Sequence, residues 1–186
     1  MGYAHAFNMP KPDKTVWANL VSDVNKLFSC LPTAEQWQHD EIDGPIVLCG
    51  PDGHGDPVCT IKEIAFNGDA STDMACETLL LYPGEIDDWC KTSRHPYDFV
   101  VCSVLILASH HLPKFKLTSN GRTHEWQPSL DWVRKHINHA VMMPRGILPP
   151  VNPPEKVVKM PSKQPDFIAL DHLQPIQHIN VASQYF

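Results

Sequence analysis

The chain has 186 residues, of which 42% are hydrophobic and 19% charged, a globular composition that suits one self-supporting core and excludes wholesale disorder. A net charge of −6 with no Lys/Arg cluster leaves no surface for counterion-releasing contacts, which excludes nucleic acid as an expected partner. The longest apolar run, residues 99–108, is too short to span a bilayer. With no apolar leader at the N-terminus, the expectation is a soluble, cytoplasmic protein without a membrane partner.

Residues 1–12 read as an N-terminal extended arm ending in Pro10-Lys11-Pro12. Val16, Trp17, Leu20, Val21, Val24, Leu27, Phe28 and Leu31 then recur at helical spacing, with Asp13 or Thr15 to cap the start and Pro32 to stop it. Thr33-Ala34-Glu35-Gln36 has the form of a capping box, so a short second helix through Trp37 is expected. Residues 46–49 and 58–66 are rich in β-formers and are separated by the turn-rich 50–57, which predicts a hairpin with a long loop. Asn67-Gly68-Asp69 ends that strand, and residues 76–82 form a third before Pro83-Gly84 breaks it.

Residues 85–90 are read as a short helix. Pro96 opens a longer one that runs to Leu112 and is apolar nearly all round, the signature of a helix covered on several sides. Residues 114–118 form a strand, Ser119-Asn120-Gly121 a turn, and 128–137 a last helix. The fold class expected is α+β: a small, mostly antiparallel sheet with several helices, one of them central, over residues 13–140.

From residue 141 the periodicity dissolves. Eight of the 18 prolines lie between Pro144 and Pro175, which favours extended, polyproline-like chain. Residues such as Ile147, Val157, Phe167, Leu170, Ile176 and Phe186 keep this segment apolar. Residues 141–186 therefore read as an arm that docks on its own domain or on a partner. The six cysteines show neither C-x-x-C pairs nor zinc-ribbon spacing, and without a leader they are expected as free thiols.

Three segments carry side chains capable of chemistry. The loop 51–56, with Asp52, His54 and Asp56 among glycines, has metal-ligating types but reads better as turn chemistry. The acidic loop at residues 67–73 ends a strand and offers Asn67 and Asp69. Residues 90–98 hold Cys90, Lys91, Thr92, Arg94 and His95 just before the apolar helix, where free N–H groups and basic side chains suit an anion. Cys102 and Ser103 inside that helix, and His110-His111 at its end, are expected to be structural. Trp17 and Trp132 fit core faces, and Trp126, after a turn, is the least constrained tryptophan. No metal or cofactor is implied. Two functions follow as expectations. In the first, the apolar arm docks on a protein partner or a second copy in a homo-oligomer. In the second, loops 67–73 and 90–98 form an anion-binding pocket of a small enzyme or binding domain.

Overall fold

The computed structural model describes residues 2–33 and 45–151. Along them run β1 (Ala4–Met9), α1 (Lys14–Cys30), β2 (Val58–Cys59), β3 (Ile64–Phe66), β4 (Leu79–Leu81), β5 (Ile86–Lys91), α2 (Asp98–His111), β6 (Lys116–Ser119) and α3 (Thr123–His136). Two antiparallel three-stranded sheets, ordered β5-β1-β6 and β2-β3-β4, share one core with the helices. The fold class is α+β.

α2 is the centre of the molecule. All residues from Phe99 to Ala108 are buried, as its uniformly apolar sequence requires, and each large side chain there stabilises the fold by about 1.5–3 kcal/mol. α1 and α3 are amphipathic. α1 buries Trp17, Leu20, Val21, Val24 and Leu27 on one face, and it ends where Leu31, preceding Pro32, turns extended. No helix among the described residues is long and apolar enough to cross a membrane.

The N-terminal residues are the main departure from expectation. Instead of an arm, Ala4–Met9 is the middle strand of the first sheet, pairing with β5 from Ala4↔Lys91 to Met9↔Ile86 and with β6 from His5↔Ser119 to Asn8↔Lys116. His5, Phe7 and Met9 face the core while Ala6 and Asn8 are exposed. This is ordinary strand alternation, disguised in the sequence because one of the inward residues is a histidine.

Three other expectations change. Residues 86–91 are a strand, not a helix: pairing with β1 overrides the weak local preference of a short acidic run. Residues 58–66 are two strands rather than one. Thr60 closes a tight turn between them, its N–H donating to Glu63 C=O at 2.8 Å and its hydroxyl accepting from the N–H groups of Lys62 and Glu63. β3 then pairs with β4, and only a single bridge, Cys49↔Asn67, links it to residues 46–49. α3 starts five residues before Pro128, where the N–H of Arg122 donates to Glu125 Oε2 at 2.8 Å and fixes the first turn.

Trp126 is fully buried, so the tryptophan expected to be least constrained is a core residue. All six cysteines are free thiols. Of the C-terminal segment, Val141 and Ile147 are buried, and the N–H of Thr123 donates to Leu148 C=O at 2.9 Å. Gly146 lies flat on β6, where a Cβ would sit 1.5 Å from the Leu117 carbonyl oxygen. The expected helix at residues 33–37 (beyond Thr33) and the arm beyond Val151 fall outside the described residues.

Candidate functional site

The loop leading into α2 is sewn to the start of β1. The N–H groups of Thr92 and Ser93 both donate to Tyr3 C=O, at 3.0 and 3.2 Å, and His95 N–H returns to Thr92 C=O at 3.0 Å. Between them Ser93 and Arg94 hold left-handed backbone, φ 53° and 65°, which costs a non-glycine residue about 1–2 kcal/mol. The turn throws Arg94 back across Tyr3, with the guanidinium carbon 4.0 Å from the ring centroid. Arg94 Nη1 also donates to Glu125 Oε1, on the first turn of α3. Tyr3, Arg94, His95, Asp98, His124 and Glu125 thereby line a cleft of about 530 Å³.

Asp98 is the polar floor of this cleft, its side chain 19% exposed. Its Oδ1 accepts a hydrogen bond from Thr92 Oγ1 at 2.5 Å and lies 2.7 Å from Nε2 of His5, which is wholly buried. The other ring nitrogen, Nδ1, is 2.9 Å from Ser119 Oγ. That oxygen already accepts from Gly121 N–H at 2.8 Å and from Trp126 Nε1–H at 3.3 Å. Two lone pairs are thus used, so the Ser119 hydroxyl proton goes to His5 Nδ1, and His5 carries a proton on Nε2 and donates it to Asp98. The donors run one way, from the 119–121 turn through Ser119 and His5, and end on a single carboxylate. Tyr3 and Trp126 clamp the imidazole edge-on, each with centroids 5.2 Å away.

Cys102 lies one turn further along α2, its Sγ 3.8 Å from Asp98 Oδ2 and 4.0 Å from His5 Nε2. Burial first, then the Asp98 charge, push its thiol pKa well above the ordinary value, so it is a protonated weak donor and not a nucleophile. His5, Asp98 and Cys102 are all metal-ligating types, with ligand atoms within 4.8 Å of one another. Here the imidazole nitrogen nearest the thiol holds the proton it gives to Asp98, and hydrogen bonds join the three.

The residues singled out from sequence divide between this cleft and the scaffold. Arg94 and His95 line the cleft, and His95 Nδ1 is buried without a hydrogen-bond partner. Thr92 is wholly buried behind it, donating to Asp98. Lys91 is exposed at the end of β5. Cys90 is core, its Sγ donating to Glu77 C=O, and burial raises its pKa. Asn67 is buried and braces its own loop through Gly68 N–H, Cys76 N–H and Cys76 C=O. Asp69 caps the 3₁₀ turn Ala70–Thr72. Hydrogen bonds from the Ser71 hydroxyl and N–H hold its carboxyl below the usual range.

The two loops meet around Pro96 and Tyr97, where Gly68, Thr72 and Met74 help line a separate apolar cavity of about 220 Å³. The N–H groups of residues 98–101 are all taken by the carbonyls of His95, Pro96 and Tyr97, which leaves none at the helix start for an anion. Sequence reasoning missed His5, Ser119, Trp126, Glu125 and the central part of Asp98. The available signal was the alternation of His5, Phe7 and Met9, which makes His5 an inward residue of a strand. Comparison with protein-family models, with curated proteins and with solved structures gave no match.

Proposed function

We propose that the domain binds a small polar ligand in the Arg94–Asp98 cleft, with the Asp98 carboxylate as the group that receives it. What supports the reading is the convergence of buried donors on one carboxylate that stays open to the cleft. Buried polar groups add little net stability over well-packed apolar ones, so a network of this kind is better understood as holding Asp98 in a set position. Its rotamer is locked from behind, by the means that preorganised sites use. A ligand O–H or N–H placed at Asp98 meets a fixed acceptor, and the same carboxylate can take a proton if the ligand is reactive. The test is a thermal-shift screen of amines, amino acids, carboxylates, polyols and nucleosides against the full chain. Stabilising compounds should lose their effect in Asp98→Asn, which keeps an acceptor for Thr92 and His5 but removes the charge. Stabilisation that survives this substitution would place binding elsewhere.

A second reading, self-association through the C-terminal segment, is favoured by its exposed apolar side chains: Met142, Leu148 and Val151 are 69%, 54% and 73% exposed. Its partner is a second copy of the chain or another protein. Light scattering of the full chain should give a dimer or higher mass, and a triple serine variant at these positions a monomer. A monomeric full chain removes the homo-oligomer version. The six free thiols fit a reducing, cytoplasmic setting for either reading.

A further inference from the structure

The geometry points to a ligand whose charged end is a guanidinium or an alkylammonium group, with Arg94 as that group's stand-in within the chain. This inference rests on the cleft reading above. The fixed charges lining the cleft are Asp98, Glu125 and Arg94. Take Arg94 away, and two carboxylates remain beside the uncovered face of Tyr3. An aromatic face with carboxylates beside it is what a guanidinium or ammonium group binds. Arg94 occupies that arrangement now, stacked on Tyr3 and paired with Glu125.

The receptor half of this contact is braced by bonds of its own, and the Arg94 half is largely exposed. Tyr3 is 6% exposed, and its carbonyl is held by the N–H groups of Thr92 and Ser93. Glu125 keeps its Oε2 on Arg122 N–H, so it stays in place if Arg94 leaves. Asp98 is fixed by His5 and Thr92. Arg94, by contrast, has a side chain 60% exposed, where ion pairs are weak and screened, and it stands on left-handed backbone, as does Ser93 before it. Strain in non-glycine residues persists at clamps and switches. An incoming cation therefore competes with a weakly held internal one and then meets a preformed site. An anion finds two carboxylates, a single guanidinium (Arg94) already paired with Glu125, and the N–H groups of residues 98–101 all taken.

The test is an NMR titration of the full-length protein, following the Trp126 indole N–H and the backbone amides of residues 92–98. The probes are methylguanidinium, propylammonium, acetate and inorganic phosphate. Arg94→Gly removes the plug and relieves the left-handed strain. Arg94→Gln keeps the chain length and removes the charge, as a check should the glycine variant fold poorly. Both cations should bind either variant about tenfold more tightly than wild type, the gain from removing an internal competitor held by one exposed ion pair and one cation–π contact. The gain should vanish when Glu125→Gln is added. Equal cation binding with and without Arg94, or binding of the anions instead, overturns the inference. So does absence of cation binding when a neutral compound from the screen shifts the same resonances, which leaves the cleft reading standing. If no compound of any class shifts them, both readings fall.

Discussion

Replacing His5 with phenylalanine isolates the network from the packing around it. Phenylalanine fills the imidazole's place between Tyr3 and Trp126, whose rings lie edge-on at 5.2 Å, so the cavity contribution is small. What is lost is polar. The His5–Asp98 hydrogen bond at 2.7 Å is to a charged group and contributes about 1.5–3 kcal/mol. The Ser119 hydroxyl, half-buried and 2.9 Å from His5, loses the acceptor for its proton, which adds about 1 kcal/mol. Together these give about 2.5–4 kcal/mol, a large share of a typical domain's stability. Urea denaturation followed by tryptophan fluorescence measures the loss, with fully buried Trp126 as a local reporter. In a double-mutant cycle with Asp98→Asn, the coupling should exceed about 1 kcal/mol. A loss below about 1 kcal/mol, or no coupling, would refute the reasoning, because the donors would then not converge on Asp98.

Other consequences follow from the same structure. Gly146→Ala should destabilise the domain by about 2–4 kcal/mol, since its Cβ would collide with the Leu117 carbonyl; an unchanged thermal midpoint would show that residues 141–148 do not pack on β6. Cys90 and Cys102, both buried with raised pKa values, should resist a thiol reagent in the native protein and react on unfolding; fast native labelling of either contradicts the burial. Burial also raises the Cys59 pKa from 9.0 to about 11. Its contribution is then full below pH 9 and lost as pH climbs toward 11, so Cys59→Ala should flatten the alkaline limb of the stability profile. For Glu125, partial burial works to raise the pKa, but the bonds from Arg94 and the Arg122 N–H outweigh it and the net shift is downward from 4.5. A depressed carboxyl stabilises above its unfolded pKa and stops doing so as pH falls through the folded one. Glu125→Gln should therefore reduce acid sensitivity below about pH 4.5, and an unaltered acid limb would count against the Arg94–Glu125 pair.

The legible parts of the fold were those with strong local periodicity. α1 and α2 announce themselves through apolar spacing, and Pro32 and Pro113 mark their ends. β1 and β5 were illegible because their strand character comes from pairing with each other across about 80 residues, and neither His5 nor Asp88 looks like a strand residue. The polar character of the loop 90–98 is legible in the sequence, through Thr92, Arg94 and His95 at the start of a buried helix. Its chemistry was not legible, since the groups that define it come from β1 (His5), the end of β6 (Ser119) and α3 (Glu125, Trp126), brought together only by sheet register. Asn67 and Asp69 resemble site residues because a loop's internal hydrogen bonds use the same polar types that ligands do.

The central claim is that Asp98 is held for a ligand. The most direct measurement is the affinity of wild type and Asp98→Asn for whichever polar compound most stabilises the full chain, read by NMR at the amides of residues 92–98. The account predicts at least a tenfold loss in Asp98→Asn, with chemical shifts outside the cleft unchanged. Equal affinity for the two proteins, or binding that maps away from these residues, would contradict it.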